Sequence, residues 1–462
     1  MYIEQAQSLA RGEVDALVQQ QDFLHENSNA SDFEHIGPKF YPWGFPILLI
    51  PVLSCFGISF LALKVYVLLF FGLSLVIIRA LFKGSLPPWP RCLLIAFIAF
   101  NPQFMGFHDE VMSDIPFMFF ALLSLLLIQR IVVQGRGIFN KPADEALLGV
   151  CLFAAFSIRA IGVVLPLTLL ICLYASDQRA HREKLRHCPG IAWRTAMTWV
   201  VFAALYVTYK WTTPTVSYAS AVDWNQAMKY VMAGIKDYAY VPTAFFQAGI
   251  LGKWVFICTI PFAVLGWIKS GKTTVHYWTY AVLSMGILLL WPWPLPRFLF
   301  SLIPFYLFYV LRGGLDCGGL GRATEPKRFR IISAVPAALL VVVVAVFAGN
   351  SASRFVEARR GGLAPLDGPM LPESQEVIDF LARHSEASDV VVFRKPRAIR
   401  LFVQRRVVVC DNLTHLRELR SRYKLFVVID YGRAGWQLRE PEAEQLQEVF
   451  RNKRFTVFLV PP

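Results

Sequence analysis

Long apolar runs recur along the first three quarters of this chain, and they restrict the folds that it can adopt. A helix needs about twenty apolar residues to cross roughly 30 Å of hydrocarbon. Apolar segments lie near 45–56, 59–78, 92–105, 115–129, 146–157, 161–176, 195–211, 249–267, 275–292, 298–311 and 331–349. Several are too short to cross alone, so we predict a polytopic α-helical membrane bundle of about nine or ten spans, with some half-buried or interfacial pieces.

The connections between these segments form two alternating sets that differ in basic charge. The first set holds eighteen lysines and arginines, in the connections near 79–91, 130–141, 179–194, 269–272 and 312–330. The second set holds four, namely Arg159, Lys229, Lys236 and Arg297. Because cytoplasmic loops carry the excess of positive charge, the first set is predicted to face the cytoplasm. The second set, the N-terminal segment and everything after residue 350 are then extracytoplasmic.

Charge and cysteine content exclude two other classes. The formal net charge of +14 would suggest a nucleic-acid partner in a soluble protein, but much of it lies in the short loops just described, so we predict no nucleic-acid binding. The eight cysteines are scattered and form no Cys-x-x-Cys pair. This spacing indicates neither a disulfide framework nor a zinc site.

Composition divides the chain into four regions: residues 1–44, a polar extracytoplasmic segment; 45–349, the transmembrane domain; 350–370, a linker rich in glycine and proline; and 371–462, an extracytoplasmic domain. In the last region helix-like stretches (ESQEVIDFLARHS, THLRELRSRY, EPEAEQLQEVFRN) are interspersed with strand-like ones (DVVVFR, RRVVVC, KLFVVID, RFTVFLV). This pattern predicts a small C-terminal α/β domain with a largely parallel sheet.

A cluster of carboxylates stands at the edge of one apolar run, in GFHDEVMSDIPFMFFALL. Asp109, Glu110 and Asp114 are costly at a bilayer edge unless they have a partner or a task. They could act as a general base or hold a hard divalent cation. Alternatively they cap the helix that Pro116 opens, where an acid gains about 0.3 to 1 kcal/mol from the helix dipole. His108, beside them, could bind substrate or be a surface histidine.

Two arginines interrupt apolar sequence on the same predicted face. Arg159 lies in SIRAIGVVLPL and Arg297 lies in PLPRFLFSLIPF. Each is costly there without an anionic partner, and an arginine can bind a phosphate through two parallel hydrogen bonds. The alternatives are that the side chains reach the interface or pair with the acidic cluster itself.

Two further segments complete an ordered set. MYIEQAQSLARG opens the chain, and KFYPWGFPILLIPVLSCFG carries Tyr41 and Trp43 in a rigid aromatic turn. Together with the acidic and arginine segments, this order resembles the polytopic polyprenyl-phosphate-dependent glycosyltransferases of the protein O-mannosyltransferase and aminoarabinose transferase type. The chain departs from the family motifs at Trp43, where they have a proline, and in RAIG, which keeps the arginine and the glycine of an RPTG-like piece.

The resemblance implies an integral-membrane glycosyltransferase of a bacterial inner or plasma membrane, which moves a sugar from a polyprenyl-phosphate donor to an unknown extracytoplasmic acceptor. The implied catalytic candidates are Glu110, Asp114 and Asp109. The implied candidates for binding the lipid phosphate and the donor are Arg159, Arg297, Tyr41, Trp43 and His108. No cofactor is fixed by the sequence, although a divalent cation could bridge acids and phosphate. The two aromatic residues could equally belong to an interfacial belt.

The start of the chain and the long outer connection leave alternatives open. Family members begin with a membrane helix and an acidic loop ahead of a Tyr-x-x-x-Ala-x-x-Leu-x-x-Gly pattern, which here begins at Tyr2, so we expect such a helix and loop upstream. The other readings are a catalytically degenerate relative, or a transporter or flippase of lipid-linked sugar, which should show paired inverted halves. The connection from 212 to 248 could shape the acceptor site or lie flat as an interfacial helix.

Overall fold

The computed structural model describes residues 1–29, 37–108, 110–134, 142–182, 195–214, 224–246, 250–271, 273–291, 294–317, 327–360, 368–410, 413–431 and 446–460. The chain forms two compact units. One is Pro42–Val356, and the other joins Met1–Tyr41 to Glu357–Pro462.

The described residues form α-helices and one sheet. The helices are α1 Tyr2–Arg11, α2 Val14–Glu26, α3 Gly44–Phe56, α4 Phe60–Leu81, α5 Pro88–Phe100, α6 Pro102–His108, α7 Asp114–Ile128, α8 Pro142–Ile158, α9 Val164–Arg182, α10 Ala196–Thr212, α11 Ala227–Tyr238, α12 Ile250–Ser270, α13 Val275–Leu289, α14 Ile303–Cys317, α15 Lys327–Arg359, α16 Pro372–His384, α17 Pro396–Val403 and α18 Leu413–Arg420. The strands are β1 Val390–Val392, β2 Arg406–Val408, β3 Leu425–Asp430, β4 Gln447–Arg451 and β5 Phe455–Val460.

The unit Pro42–Val356 is the membrane portion of the molecule. The stretches long and apolar enough to cross a bilayer are Phe60–Leu81, Asp114–Val133, Ala160–Gln178, Gly252–Ser270 and Ala334–Arg359. Three shorter apolar helices, α3, α5 and α13, accompany them. The predicted class, a polytopic helical bundle with a small α/β domain, is confirmed. The number of nine or ten spans stays a prediction, because only five helices among the described residues have full crossing length.

Glycines allow two membrane helices to approach closely. A Cβ at Gly266 of α12 would lie 2.1 Å from the carbonyl oxygen of Tyr309, and one at Gly313 of α14 would lie 1.9 Å from that of Phe262. Such close backbone approach supplies the van der Waals contact that holds helices together in lipid. Elsewhere α7 packs between α4 and α8, and α8 packs against α10. Helix α7, whose apolar stretch is mostly buried, therefore lies inside the bundle.

The second unit contains a five-stranded sheet with the strand order β2-β1-β3-β5-β4. Strands β2, β1 and β3 are parallel, whereas β5 is antiparallel to both β3 and β4. The expectation of a largely parallel sheet is thus wrong for one half. The helix expected in EPEAEQLQEVFRN is also wrong where the structure describes it, since Gln447–Arg451 is strand β4. The cause is a hairpin turn in which Asn452 Oδ1 accepts from the backbone N–H groups of Arg454 and Phe455.

Both faces of the sheet are covered. One face packs Val391, Phe426 and Val457 against residues of α16 and α17, including Leu381 and Ile399. The other face packs its alternate residues against α18. This alternation follows from the two-residue period of a strand. Helix α17 was not predicted from the sequence, because PRAIRLFV is only eight residues long.

The first residues of the chain belong to this α/β unit. Arg400 of α17 donates from Nε to Glu4 Oε1 at 2.6 Å and from Nη2 to Glu4 Oε2 at 3.0 Å, and both side chains are buried. Beyond α2, the Asn29 amide donates to the carbonyl of Val409, and the Val409 amide donates to Ser28 Oγ. The first 41 residues of the extracytoplasmic segment predicted at 1–44 therefore join the domain predicted at 371–462 in one compact unit.

Helix α15 extends into the region that was predicted to be a linker. It continues to Arg359, so the first ten residues of the predicted linker 350–370 are helical. The sequence from 351 to 360 contains neither glycine nor proline, and the helix ends just before the pair Gly361–Gly362.

Candidate functional site

The carboxylate of Asp114 lies at the first residue of the central helix α7 and is buried, with the residue 3% exposed. Ser113 occupies the N-cap position, but its side chain makes no capping hydrogen bond. Asp114 Oδ1 instead accepts a hydrogen bond from Arg159 Nη1, while Asp114 Oδ2 has no hydrogen-bond partner within the described residues of the chain. Arg159 thus pairs with a carboxylate of the acidic cluster, which was one of the alternatives predicted for it.

Arg159 is placed by the end of α8. It has extended backbone geometry between α8 and the 3-10 turn Ala160–Val163. Two glycines fix this corner, because a Cβ at Gly162 would lie 2.6 Å from the main chain of Ala155, and a Cβ at Gly44 would lie 2.4 Å from the carbonyl carbon of Ser157. Only residues without a Cβ fit such an approach. The side chain of Arg159 keeps 21% exposure beside the buried Asp114.

Arg297 reaches the same place from another element, the 3-10 turn Pro296–Leu299. Its Cζ lies 5.5 Å from the centre of the Phe298 ring, and the Cζ of Arg159 lies 5.0 Å from the centre of that ring. Arg297 also lies 5.9 Å from the ring of Phe107 in α6. Each such contact is worth about 0.5 to 2 kcal/mol, depending on desolvation. The structure therefore brings both predicted arginines to one aromatic ring.

Aromatic packing holds the turn that carries Arg297. Phe300 stacks on Phe104 of α6 with ring centres 4.4 Å apart, and Phe107 packs edge-on to Phe300 at 5.2 Å. One residue later, Ser301 Oγ accepts a hydrogen bond of 2.7 Å from the buried Tyr280 hydroxyl of α13. These contacts tie the arginine turn to the segment just before the acidic loop.

Among the residues of this cluster that the structure describes, cations outnumber buried carboxylates. Arg159 and Arg297 are two cations, and Asp114 is the buried carboxylate beside them. Among the described residues Arg297 has no carboxylate within ion-pair distance, and its Nε is buried without a hydrogen-bond partner. A buried donor without a partner costs about 1 to 3 kcal/mol, which an anionic ligand would recover.

The other predicted acids and the histidine are placed differently. Glu110 is exposed on the loop before α7, and its amide donates to the carbonyl of Phe107. Asp109 lies outside the described residues. His108 ends α6, and its side chain is also outside what the structure describes.

The predicted aromatic pair is divided between the two units. Trp43 is wholly buried in the membrane unit, where its amide donates to the Tyr209 hydroxyl at 2.9 Å. It therefore cannot serve in an exposed interfacial belt. Tyr41 belongs to the α/β unit, where its ring meets that of Tyr2 at 5.6 Å and lies 5.4 Å from the Cζ of Arg397.

Sequence reasoning missed the residues that join the two arginines. Phe298 follows Arg297 directly, and an aromatic residue beside an intramembrane arginine was a usable signal for a cation–π contact. Tyr280 and Ser301 carried no such signal, because nothing in the local sequence of α13 shows that its tyrosine reaches the turn after Arg297.

No protein-family model and no curated protein sequence matches the chain, but solved structures do. The crystal structure of ArnT from Cupriavidus metallidurans bound to undecaprenyl phosphate aligns over 96% of this chain and 92% of that one, with 11% identity and a TM-score of 0.52. The chain has the ArnT fold. The predicted resemblance to lipid-phosphate glycosyltransferases is thereby confirmed for the fold.

The chain also aligns with structures of an archaeal protein. The structure of the oligosaccharyltransferase AglB from Archaeoglobus fulgidus with an inhibitory peptide and a dolichol-phosphate aligns over 94% of this chain and 68% of that one, with 11% identity and a TM-score of 0.53. A structure of the Archaeoglobus fulgidus oligosaccharyltransferase with Zn and sulfate gives a TM-score of 0.57, with 11% identity over 96% of this chain and 68% of that one.

A metal site does not assemble from the described residues. They contain no group of three or more His, Cys, Asp or Glu side chains placed to hold an ion. Of the two predicted acids that the structure describes, Asp114 is the one buried at the arginines, and one of its oxygens is already engaged by Arg159. The described residues therefore do not fit the divalent cation that the sequence left open.

Proposed function

We propose that the chain is an integral-membrane glycosyltransferase that takes a sugar from a polyprenyl-phosphate donor and transfers it to an extracytoplasmic hydroxyl. The observation that carries this proposal is the meeting of Arg159 and Arg297 at the Phe298 ring, with one buried carboxylate between apolar helices. Such excess positive charge at the end of a membrane helix suits a lipid phosphate. The ArnT fold supports the same reading, since that ArnT structure contains undecaprenyl phosphate.

The transfer requires a leaving group that can accept charge. The acceptor oxygen attacks the anomeric carbon, the bond from that carbon to the phosphate oxygen breaks, and the bonding electrons leave with the polyprenyl phosphate. Arg297, through its unpaired Nε, and Arg159 stabilise the charge that develops on the phosphate. Asp114 is a positioning residue, because it orients the guanidinium of Arg159.

The acceptor hydroxyl must also lose a proton. We assign the removal of this proton to the carboxylate of Glu110. Glu110 is exposed on the loop before α7 and is close in sequence to Asp114, which pairs with Arg159. A carboxylate positioned at the reacting hydroxyl typically contributes a hundredfold to ten-thousandfold in rate. No step of this proposal passes through a metal.

Binding of the lipid tests the arginine site. Arg297→Ala should weaken the binding of undecaprenyl phosphate by the full-length protein by about tenfold to a hundredfold, the range for a hydrogen bond to a charged group. The matched control is Arg312→Ala, since Arg312 of α14 is paired with Asp316 away from Phe298. Equal affinity for undecaprenyl phosphate and for undecaprenol, which lacks the phosphate, would remove the proposal.

Transfer tests the carboxylate. With a series of polyprenyl-phosphate sugars as donors, Glu110→Gln should abolish loss of sugar from the lipid and leave lipid affinity unchanged. Asp114→Asn should lower both the rate of sugar loss and the affinity for the lipid, because Arg159 would lose the carboxylate that orients it. Full turnover in Glu110→Gln would assign the proton to another group.

A further inference from the structure

Helix α11 in the outer connection carries four different faces, and none of them is used by the proposed transfer reaction. The helix makes about 3.6 residues per turn, so each residue is rotated by about 100° from the last. Met228, Met232 and Ile235 fall on one stripe and are 73%, 64% and 54% exposed. Side chains this large and apolar rarely stand in water side by side.

The face to one side of this stripe packs on the membrane bundle. Gly234 and Tyr238 are buried there. A Cβ at Gly234 would lie 3.0 Å from the carbonyl oxygen of Leu289, the last residue of α13. The helix is thus fixed against the end of an apolar helix, at the level where α13 would leave the hydrocarbon.

The face on the other side of the stripe is basic. Lys229 and Lys236 lie there, about a quarter turn from the stripe, and both are exposed. Asp237 lies about opposite the stripe. A helix lying flat at a bilayer surface needs this order: apolar residues downward, cations at the level of the phosphates, and an acid toward water.

Aromatic residues stand at both ends of the helix. Trp224 precedes it and is 60% exposed, and Tyr240 follows it and is 61% exposed. The Lys253 ammonium lies 5.6 Å from the Tyr240 ring. Exposed tryptophan and tyrosine are enriched at the boundary between lipid and water.

We propose that α11 binds the outer surface of the bilayer, with Met228, Met232 and Ile235 among the acyl chains and with Lys229 and Lys236 on the phosphates of acidic phospholipids. The occupant of the exposed stripe is therefore lipid and not a second copy of the chain. This inference does not depend on sugar transfer. Of the two readings of the 212–248 connection, the proposal takes the interfacial one for this helix.

Photo-crosslinking in the full-length protein tests the stripe. A benzophenone amino acid at position 232, in vesicles of phosphatidylethanolamine and phosphatidylglycerol, should form lipid adducts detected by mass spectrometry. The matched control is position 237 on the same helix, because it lies about opposite the stripe and should give none. Equal adducts at both positions, or adducts at 232 to protein, would overturn the proposal.

The lysines are tested by lipid competition. With the probe at 232, the preference for phosphatidylglycerol over phosphatidylcholine should fall by about fivefold for each of Lys229→Gln and Lys236→Gln, the effect of one basic residue near an acidic surface. Lys453→Gln, an exposed lysine of the α/β unit, should leave the preference unchanged. An unchanged preference in the double variant would overturn the assignment to acidic lipids.

Discussion

Two buried carboxylates, Asp114 and Glu4, find their counter-charge in different ways. Asp114 accepts a hydrogen bond from Arg159 through one oxygen, whereas Glu4 accepts two hydrogen bonds from Arg400, one at each oxygen. The first arrangement leaves an oxygen without a partner among the residues that the structure describes, and the second engages both oxygens. Both oxygens of Glu4 are thus satisfied within the fold, whereas Asp114 can still accept a hydrogen bond at Oδ2.

The pair of Glu4 and Arg400 should make the α/β unit sensitive to acid. Burial alone would raise the pKa of the Glu4 carboxyl, but the hydrogen bond from Arg400 and the charges of the Met1 amino group, Arg400 and Arg397 outweigh it, so the pKa is lowered from 4.5. A lowered pKa adds stability above the unfolded value, and this stability is lost as the pH falls below about 4.5. Hydrogen exchange of β1 and β3 in the full-length protein should therefore accelerate in that range.

Substitution separates this effect from general acid sensitivity. Glu4→Gln should remove part of the pH dependence and destabilise the unit by about 3 to 5 kcal/mol, because Arg400 would stay buried without its partner. The matched control is Glu448→Gln, whose partner Arg451 forms an exposed pair, and it should leave exchange unchanged. The same pH profile in Glu4→Gln and in the unsubstituted protein would refute the assignment.

At the scale of elements, the contact of α3 with the end of α8 positions Arg159. Gly44→Ala would place a Cβ 2.4 Å from the Ser157 main chain and should force the two helices apart. We expect a lower thermal unfolding midpoint and weaker binding of undecaprenyl phosphate. Gly72→Ala is the matched control, because a Cβ at Gly72 of α4 meets nothing within 4 Å. It should be neutral or stabilise by up to about 1 kcal/mol. Equal midpoints in the two variants would show that α3 does not fix this corner.

The elements also show what the sequence could and could not predict. Apolar length marked α4 and α7, and short runs of β-branched and aromatic residues marked β1, β2, β3 and β5, because these signals are local. The strand β4 and the antiparallel half of the sheet depend on pairing with β5 and were missed. At the site, Arg159 and Arg297 were found from the cost of a cation in apolar sequence. Their meeting at Phe298 was not derivable, because it depends on how α6, α8 and the turn before α14 pack.

At the scale of the whole molecule, the orientation in the bilayer stays a prediction from the unequal distribution of basic residues between the two sets of connections. An alkaline phosphatase fused after residue 462 should be active, since that enzyme works only outside the cytoplasm, and a fluorescent protein that folds only in the cytoplasm should stay dark at the same place. Fusions within the 179–194 connection should give the opposite pattern. Matching signals at the two places would put them on the same side of the membrane, and an exchanged pattern would reverse the orientation; either result would refute the predicted topology.

The α/β unit is assembled from the two ends of the chain, and its central ion pair joins residues 396 positions apart. Glu4 is synthesised long before Arg400. Helices α1 and α2 therefore lack their partner α17 while the membrane helices between them are made and inserted. Closing so long a loop is slow, and the waiting helices keep apolar surface uncovered. Quality-control proteases should therefore recognise a chain interrupted anywhere before α17 by the uncovered apolar surface of α1 and α2 rather than by its broken end.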